Sequence, residues 1–473
     1  MMATTDNAHQ APRKPLHVGD MEAVMWGIEK DPLLRQTMTA VLVLDRSPDR
    51  DVLLDRLDRA SRTLPPLRHK LVEVPLRLST PRWLLDPNFD LSYHLRWIAA
   101  PGDRSIDSVL EFAGQSAMSG FDHARPLWMI TVVDGMQGDR AAVLVKISHA
   151  VTDGVGSIVI LALISDLTRE PRDLGPMPPI PESESDRPLQ LAAEALTHTG
   201  NRFLGFIGRS ATSVARAIPD ALAHPRTTTD TVRKNVRALA RVMTPPLKSL
   251  SPLMTERRGW MRFAALDVDL EGLRKAAKPR GCTVNDAFVT AVTHGFALYH
   301  ERHGKPVERL QAAVAVNIRK EGDFSFGNRV RGESIAIPVS ADDPATAMTA
   351  HHDLIKAIKE EVKLPSATSL DAVLSFLGPT VAPLLGIMMK HDDFAVSNVP
   401  AGDQTVYLAG AKVVGLYPFG PLMGTAANCS LVGYDHQAFV GINADAAAVP
   451  DVHSLASCIR EGFDAVLSLA DRS

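Results

Sequence analysis

The sequence predicts a mixed α/β (α+β) chain made of two halves joined by a long linker. Three observations predict it. Short Val/Ile/Leu/Thr-rich runs alternate with helix-period segments on both sides of the chain's middle; a Pro-rich acidic stretch separates the two sets; and 473 residues at 45% hydrophobic content suffice for two packed cores.

Taken in order, residues 1–15 are polar and Pro-containing, with no apolar run behind them, so a disordered tail is expected rather than a secretory signal. The first half is expected to occupy 16–175. Met38 to Leu44 and Leu127 to Val133 read as strands, and between them Ile106, Val109, Leu110, Ala113 and Ala117 recur at helical spacing over Ser105 to Met118. Asp134-Gly135 opens a polar turn into a second apolar run, Ala141 to Ile147, which makes a hairpin. The apolar SIVILALISDL that follows fits a buried helix or a strand, since periodicity alone does not separate them. A linker is expected over 176–258: first LGPMPPIPESESDRP, then a helical Ala- and Arg-rich bridge from Leu189, with 11 Lys/Arg against 3 Asp/Glu between Thr199 and Arg258. The second half, 259–473, reads as MRFAALDVDL, a helix from about Val284, LQAAVAVNI, ESIAIPVS, FAVSNV, the pair CSLVGYD and QAFVGINAD, and a closing helix over Val452 to Leu469.

Composition excludes several classes. A net charge of -3 gives no electrostatic reason for a nucleic-acid partner. Cys282, Cys429 and Cys458 form no CxxC pair, which argues against a disulfide framework or a zinc site and fits a reducing, cytoplasmic setting. Apolar runs fall short of the ~20 residues of a spanning helix, so peripheral attachment is the only membrane association expected. No GxSxG elbow, Walker A loop or GxGxxG fingerprint is present.

The segment richest in chemistry is Lys146-Ile147-Ser148-His149-Ala150-Val151-Thr152-Asp153-Gly154-Val155-Gly156. An imidazole titrating near ~6.5 can take a proton from an alcohol and return it to a leaving group, which suits His149 to general-base work. Asp153 either holds the ring's tautomer or pins the loop through an ion pair, the second being favoured, and Gly154 is expected to allow a backbone shape that other residues resist. With 16 histidines in the chain, this pattern by itself is only suggestive.

The segment resembles the HHxxxDG motif of the wax ester synthase/diacylglycerol acyltransferases, relatives of chloramphenicol acetyltransferase, carnitine acyltransferases and peptide-synthetase condensation domains. The likeness runs along nearly the whole chain. LRHKLVEVPLRLSTPRWLLDPNFDLSYHLR (Leu67 to Arg96) is similar to the family's N-terminal consensus; Pro126-Leu127-Trp128 resembles its PLW motif, Asn285-Asp286 its ND motif, Val316-Asn317-Ile318-Arg319 its strand-end segment, and Ser397-Asn398-Val399-Pro400 its SNVPGP segment. Two departures stand out: Ser148 replaces the first histidine, and Ala401-Gly402 replaces Gly-Pro.

The resemblance implies two chloramphenicol acetyltransferase-like domains, each a mixed β-sheet with flanking helices, and an acyl-CoA-dependent O-acyltransferase acting on diacylglycerol or a long-chain alcohol. It implies catalytic roles for His149, Asp153 and, as an oxyanion donor, Asn285. Ser148, Gly154, Trp128, Asp286, Asn317, Arg319, Ser397 and Asn398 would serve substrate binding. No metal or cofactor is expected beyond acyl-CoA as co-substrate.

Other readings of these residues stand beside those roles. Thr283 with Asp286 is a capping-box spacing; Trp128 suits a core; Arg319 either pairs with Asp153 or faces solvent; and His300, His303, His351 and His352 read as helix-surface residues. The basic bridge fits either an anionic membrane or lipid-droplet surface or a solvated linker. Ser148 also motivates a catalytically weak lipid-binding or scaffold paralogue, and a specialised alcohol is the remaining acceptor class. A monomer or homodimer is expected.

Overall fold

The computed structural model describes residues 18, 20–73, 81–181, 248–317, 330–363 and 389–470. The predicted tail, the bridge up to residue 247 and Arg319 lie outside the described residues. The chain runs through α1 (Asp20–Ile28), β1 (Thr37–Leu44), α2 (Arg50–Thr63), β2 (His69–Val72), β3 (Arg82–Leu85), the single turn α3 (Leu91–His94), β4 (Leu95–Ala99), α4 (Ile106–Met118), β5 (Trp128–Asp134), β6 (Ala141–Ser148), α5 (Gly154–Ile164) and β7 (Ser165–Asp166). The second half follows with β8 (Met261–Asp269), α6 (Leu270–Ala277), α7 (Val284–Arg302), β9 (Arg309–Asn317), β10 (Val330–Pro338), α8 (Pro344–Lys363), β11 (Phe394–Gly402), β12 (Tyr407–Leu408), β13 (Ala411–Phe419), β14 (Ala427–Tyr434), β15 (Gln437–Asp445) and α9 (Val452–Leu467).

Two mixed sheets organise these elements, in the orders β4-β5-β6-β1-β13-β12-β7 and β10-β9-β11-β14-β15-β8. In the first, β1 is apolar on both faces because both are covered, which is why its sequence is a continuous run rather than an alternation. Val41, Ala142 and Leu144 pack on Val109, Leu110 and Ala113 of α4 and on Phe263 of β8. Leu42, Leu44, Val143 and Ile147 pack in the cluster that holds Leu53 and Leu57 of α2 and Ile160 and Ile164 of α5. The SIVILALISDL ambiguity resolves as a helix because Asp153 caps it and both sides of the first sheet need a covering layer.

The first sheet borrows β12 and β13 from the second half, with β13 antiparallel to β1 from Thr39↔Phe419 onward. Where β13 crosses β15 the backbones nearly touch: a Cβ on Gly441 would lie 1.8 Å from the carbonyl oxygen of Pro418. Phe263 and Phe419 stack across the same junction with centroids 4.0 Å apart. This exchange has no signature in hydrophobic spacing.

Two expectations are corrected. Residues 248–258 contain no helix; they form a turn and extended segment, held because the Asp393 carboxylate accepts the N–H groups of Leu250 and Ser251, each at 3.2 Å, and of Gln311 at 2.8 Å. His300 and His351 are not surface residues. Both are buried, His300 between Phe296 O and Ser251 Oγ, His351 between Thr290 Oγ1 and Pro338 O. Buried ring nitrogens need partners; helix α7 is covered nearly all round, so His300 goes inward, and His351 lies where α8 packs on α7, against Thr290. Among the described residues no helix is long and apolar enough to cross a membrane.

Candidate active site

Strand β6 delivers the chain to Ser148, which pairs with Thr37 of β1 and donates its N–H to Leu127 O at 3.0 Å. His149 follows, its N–H held by Gln36 O at 2.8 Å, and Val151 N–H turns back to Ser148 O at 2.9 Å. Asp153 then caps α5: it is fully buried, its Oδ1 accepts Gly156 N–H at 2.9 Å, and its carbonyl accepts Ser157 N–H at 2.9 Å. The imidazole is thus carried on a loop fastened at both ends.

His149 is half-buried. Burial holds its pKa below the ordinary histidine value, against the opposing pull of the Asp153 charge. A ring in that state is neutral near pH 7 and free of the positive charge that would stop it accepting a proton. Asp153 pins the loop as a helix cap, a role the sequence reading did not raise; the ion pair it favoured has its candidate partner, Arg319, outside the described residues.

Gly154 is explained differently from expectation. It is not among the positive-φ residues; what it supplies is room, since a Cβ there would sit 2.7 Å from Cγ2 of Val399. The His149 loop therefore abuts β11, the strand carrying Ser397 and Asn398, both partly buried and in parallel register with Ser430 and Leu431 of β14. Two motifs distant in sequence meet here.

The remaining residues take varied places. Asn285 lies partly buried in the first turn of α7. Asp286 closes the predicted capping box, accepting Thr283 N–H and hydroxyl at 2.8 Å each, and also bonds His352 Nδ1 at 2.8 Å. Asn317 ends β9 opposite Val330. Trp128 is packed, its Nε1 donating to Leu67 O at 2.8 Å and its ring stacked on His94 at 4.3 Å. One trio among the described residues, Cys282, Asp286 and His352, brings potential metal ligands within 4.8 Å of one another, though the Asp286 carboxylate is already engaged by the helix cap.

Sequence reasoning missed a polar group beneath the loop. Glu29, the residue after α1, is partly buried, and burial pushes its pKa up to about 7. Lys146 donates to Ser119 O and Oγ, both at 2.7 Å, and burial lowers its pKa to about 8. Arg35 donates to Met118 O. GIEKD reads as an ordinary polar helix end.

The catalytic-domain model of the wax ester synthase/diacylglycerol acyltransferases matches residues 11–288, and the C-terminal-domain model of the same family matches 326–466. The chain belongs to the wax ester synthase/diacylglycerol acyltransferase family. It is an O-acyltransferase of that family. A provisionally named diacylglycerol O-acyltransferase of Mycobacterium tuberculosis (strain H37Rv) is 34% identical over 466 residues, covering 98% of this chain and 94% of its own. Another from the same strain is 29% identical over 416 residues, covering 86% and 84%. Among solved structures, the wax ester synthase/diacylglycerol acyltransferase of Marinobacter aquaeolei VT8 superposes with a TM-score of 0.63 at 18% identity over 96% of this chain and all of that one. The first condensation domain of the calcium-dependent antibiotic synthetase gives 0.64 at 14% identity, covering 97% of each. The two sheet-centred halves are thus the paired domains of the chloramphenicol acetyltransferase-like fold.

Proposed function

We propose that this enzyme transfers a long-chain acyl group from acyl-CoA to the hydroxyl of diacylglycerol or a long-chain alcohol, with His149 as general base. The observation that carries the reading is the setting of His149: a neutral, half-buried imidazole on a loop clamped by β6, Gln36 and the Asp153 cap, against β11 of the other half.

In this reading the unprotonated nitrogen of His149 takes the acceptor's hydroxyl proton as its oxygen bonds to the thioester carbonyl carbon. The carbonyl π pair moves onto oxygen, where Asn285 at the N-terminus of α7 donates to the oxyanion. Collapse breaks the carbon–sulfur bond, and the imidazolium returns its proton to the CoA thiolate. Protons balance, and no step passes through a metal or prosthetic group. Ser397 and Asn398, on the strand that touches Gly154, contribute to the acceptor's surroundings, and attachment to a membrane or lipid-droplet surface would bring the apolar substrates within reach. The acceptors come from the family resemblance and from the names of the relatives.

The test is thiol release from palmitoyl-CoA with diacylglycerol, hexadecanol and a panel of other alcohols, followed by product mass spectrometry. His149→Ala is expected to abolish ester formation, and Asn285→Ala to lower kcat by roughly 100-fold, as for removal of one oxyanion donor. Full activity in His149→Ala overturns the reading.

A further inference from the structure

We propose that Cys282, Asp286 and His352 form a three-ligand site for a divalent ion of the zinc class, bridging the start of α7 and the middle of α8. The site takes no part in the acyl-transfer steps above, and its test does not depend on them.

Potential ligand atoms of the three side chains lie within 4.8 Å of one another. Two of them come from one turn: Cys282 precedes the N-cap Thr283, and Asp286 sits in the first turn of α7. The other arrives from α8, 66 positions beyond Asp286, which is why no short cysteine or histidine spacing announces the site. Its arrival is fixed by packing. His351 is buried and bonds both Thr290 Oγ1 of α7 at 2.9 Å and Pro338 O of β10 at 3.0 Å, so α8 is held in one rotation about its axis. That rotation delivers the next residue, His352, to Asp286, with Nδ1 2.8 Å from Oδ2. The Cys282 sulfur faces the same stretch of α8, 3.9 Å from the carbonyl oxygen of Met348, about one turn before His352.

The helix cap does not exhaust the Asp286 carboxylate. The bonds from the Thr283 N–H, the Thr283 hydroxyl and His352 all fall on Oδ2, each at 2.8 Å. A carboxylate has two oxygens with lone pairs to give, so Oδ1 can bind an ion while Oδ2 keeps the cap. Thiolate, imidazole and carboxylate together suit zinc-class ions, whereas a sulfur ligand selects against magnesium and calcium, which take oxygen. Zinc bond lengths of ~2.0–2.3 Å put neighbouring donors roughly 3.3–3.6 Å apart in a tetrahedron, so the trio need close by no more than ~1.5 Å. The Asp286 side chain is 4% exposed and that of His352 27%, so the site is sheltered on the carboxylate side and reachable on the other, where water would complete the tetrahedron. Binding exchanges protons for the ion: the Cys282 thiol releases its hydrogen to solvent as the sulfur–metal bond forms, and the imidazole binds through its unprotonated nitrogen.

The experiment strips the full chain with a chelator and titrates it with Co2+, whose thiolate complexes absorb by charge transfer, and with Zn2+. The expected result is a charge-transfer band that saturates at one Co2+ per chain, is displaced by Zn2+ and not by Mg2+, and a melting temperature that rises with Zn2+ concentration. Cys282→Ser should lose the band, and Cys282→Ser and His352→Ala should each weaken Zn2+ binding by at least ~10-fold, since even residues that only orient metal ligands cost that much. Cys458→Ser should keep both band and affinity. Neither Cys282→Ser nor His352→Ala removes a capping-box residue, and melts without added ion check that each variant folds. Absence of the band, a band that persists in Cys282→Ser, native Zn2+ affinity in His352→Ala, or a Zn2+-dependent rise in melting temperature that is equal in Cys282→Ser overturns the proposal.

Discussion

Gly154→Ala tests whether the histidine loop and the second half are mechanically one unit. The new methyl would lie 2.7 Å from Cγ2 of Val399, whereas carbon atoms settle ~3.5–4.0 Å apart, so α5 and β11 must separate by about 1 Å. Val399 yields poorly, being β-branched with a restricted χ1. Overpacking of this kind costs ~1–3 kcal/mol. The displaced end of α5 is the one capped by Asp153, just beyond His149, and a shift of about 1 Å at a catalytic group lowers turnover by up to ~100-fold. The measurement is thermal unfolding and acyl-CoA turnover for Gly154→Ala, Val399→Ala and the pair. Val399→Ala removes the colliding methyl, so the double variant should be more stable than the two single effects predict by roughly 1–2 kcal/mol and should regain most of the lost turnover. Strict additivity, or a Gly154→Ala enzyme with native stability and rate, refutes the argument.

Three further outcomes follow from other sites. Arg56 and Asp166 form an ion pair with side chains 3% and 1% exposed, so Arg56→Ala strands a buried carboxylate and should cost about 3–5 kcal/mol in an unfolding titration, only partly offset by Arg172. Burial raises the Asp392 pKa from 3.8 to about 6; since the folded value is above the unfolded one, its contribution to stability is fully present below 3.8 and is lost as pH rises through about 6. Asp392→Asn, which can still accept from Ser334, should therefore raise the melting temperature more at about pH 7.5 than at about pH 4, and an equal gain at both would count against it. Because burial lowers the His149 pKa from 6.5, kcat/KM should fall only as pH drops below ~6.5, and an acid limb centred well above neutrality would contradict a neutral ring in the free enzyme.

The strands and helices legible in the sequence were those with a strong period or a continuous apolar run, such as β1, β5, β6, β14, β15 and α9, whose edges shift by only a residue or two. Helices α1, α2, α6 and α8 went unassigned; α1 and α6, at nine and eight residues, span too few turns to establish a period. The place of β13 was hidden for a different reason: strand propensity is local, whereas its partner β1 lies far back along the chain. At the site, His149 and Asp286 carry local signals, a strand end and a capping box, whereas the cap made by Asp153 emerged only with the helix it starts. Gly154 was found for the wrong reason, because the Val399 contact that requires it is nonlocal. Glu29 was missed altogether, since its burial depends on where α1 lands.

The lending of β13 to the first sheet also decides what happens if the enzyme is cut. A fragment ending at residue 181 would leave the backbone of β1 open along one side, a ready template for sticking to another polypeptide. The complementary piece would carry an orphaned ribbon with no sheet to join. Neither half is expected to fold alone, and swinging the halves apart like a clamshell would tear a ladder of hydrogen bonds between β1 and β13.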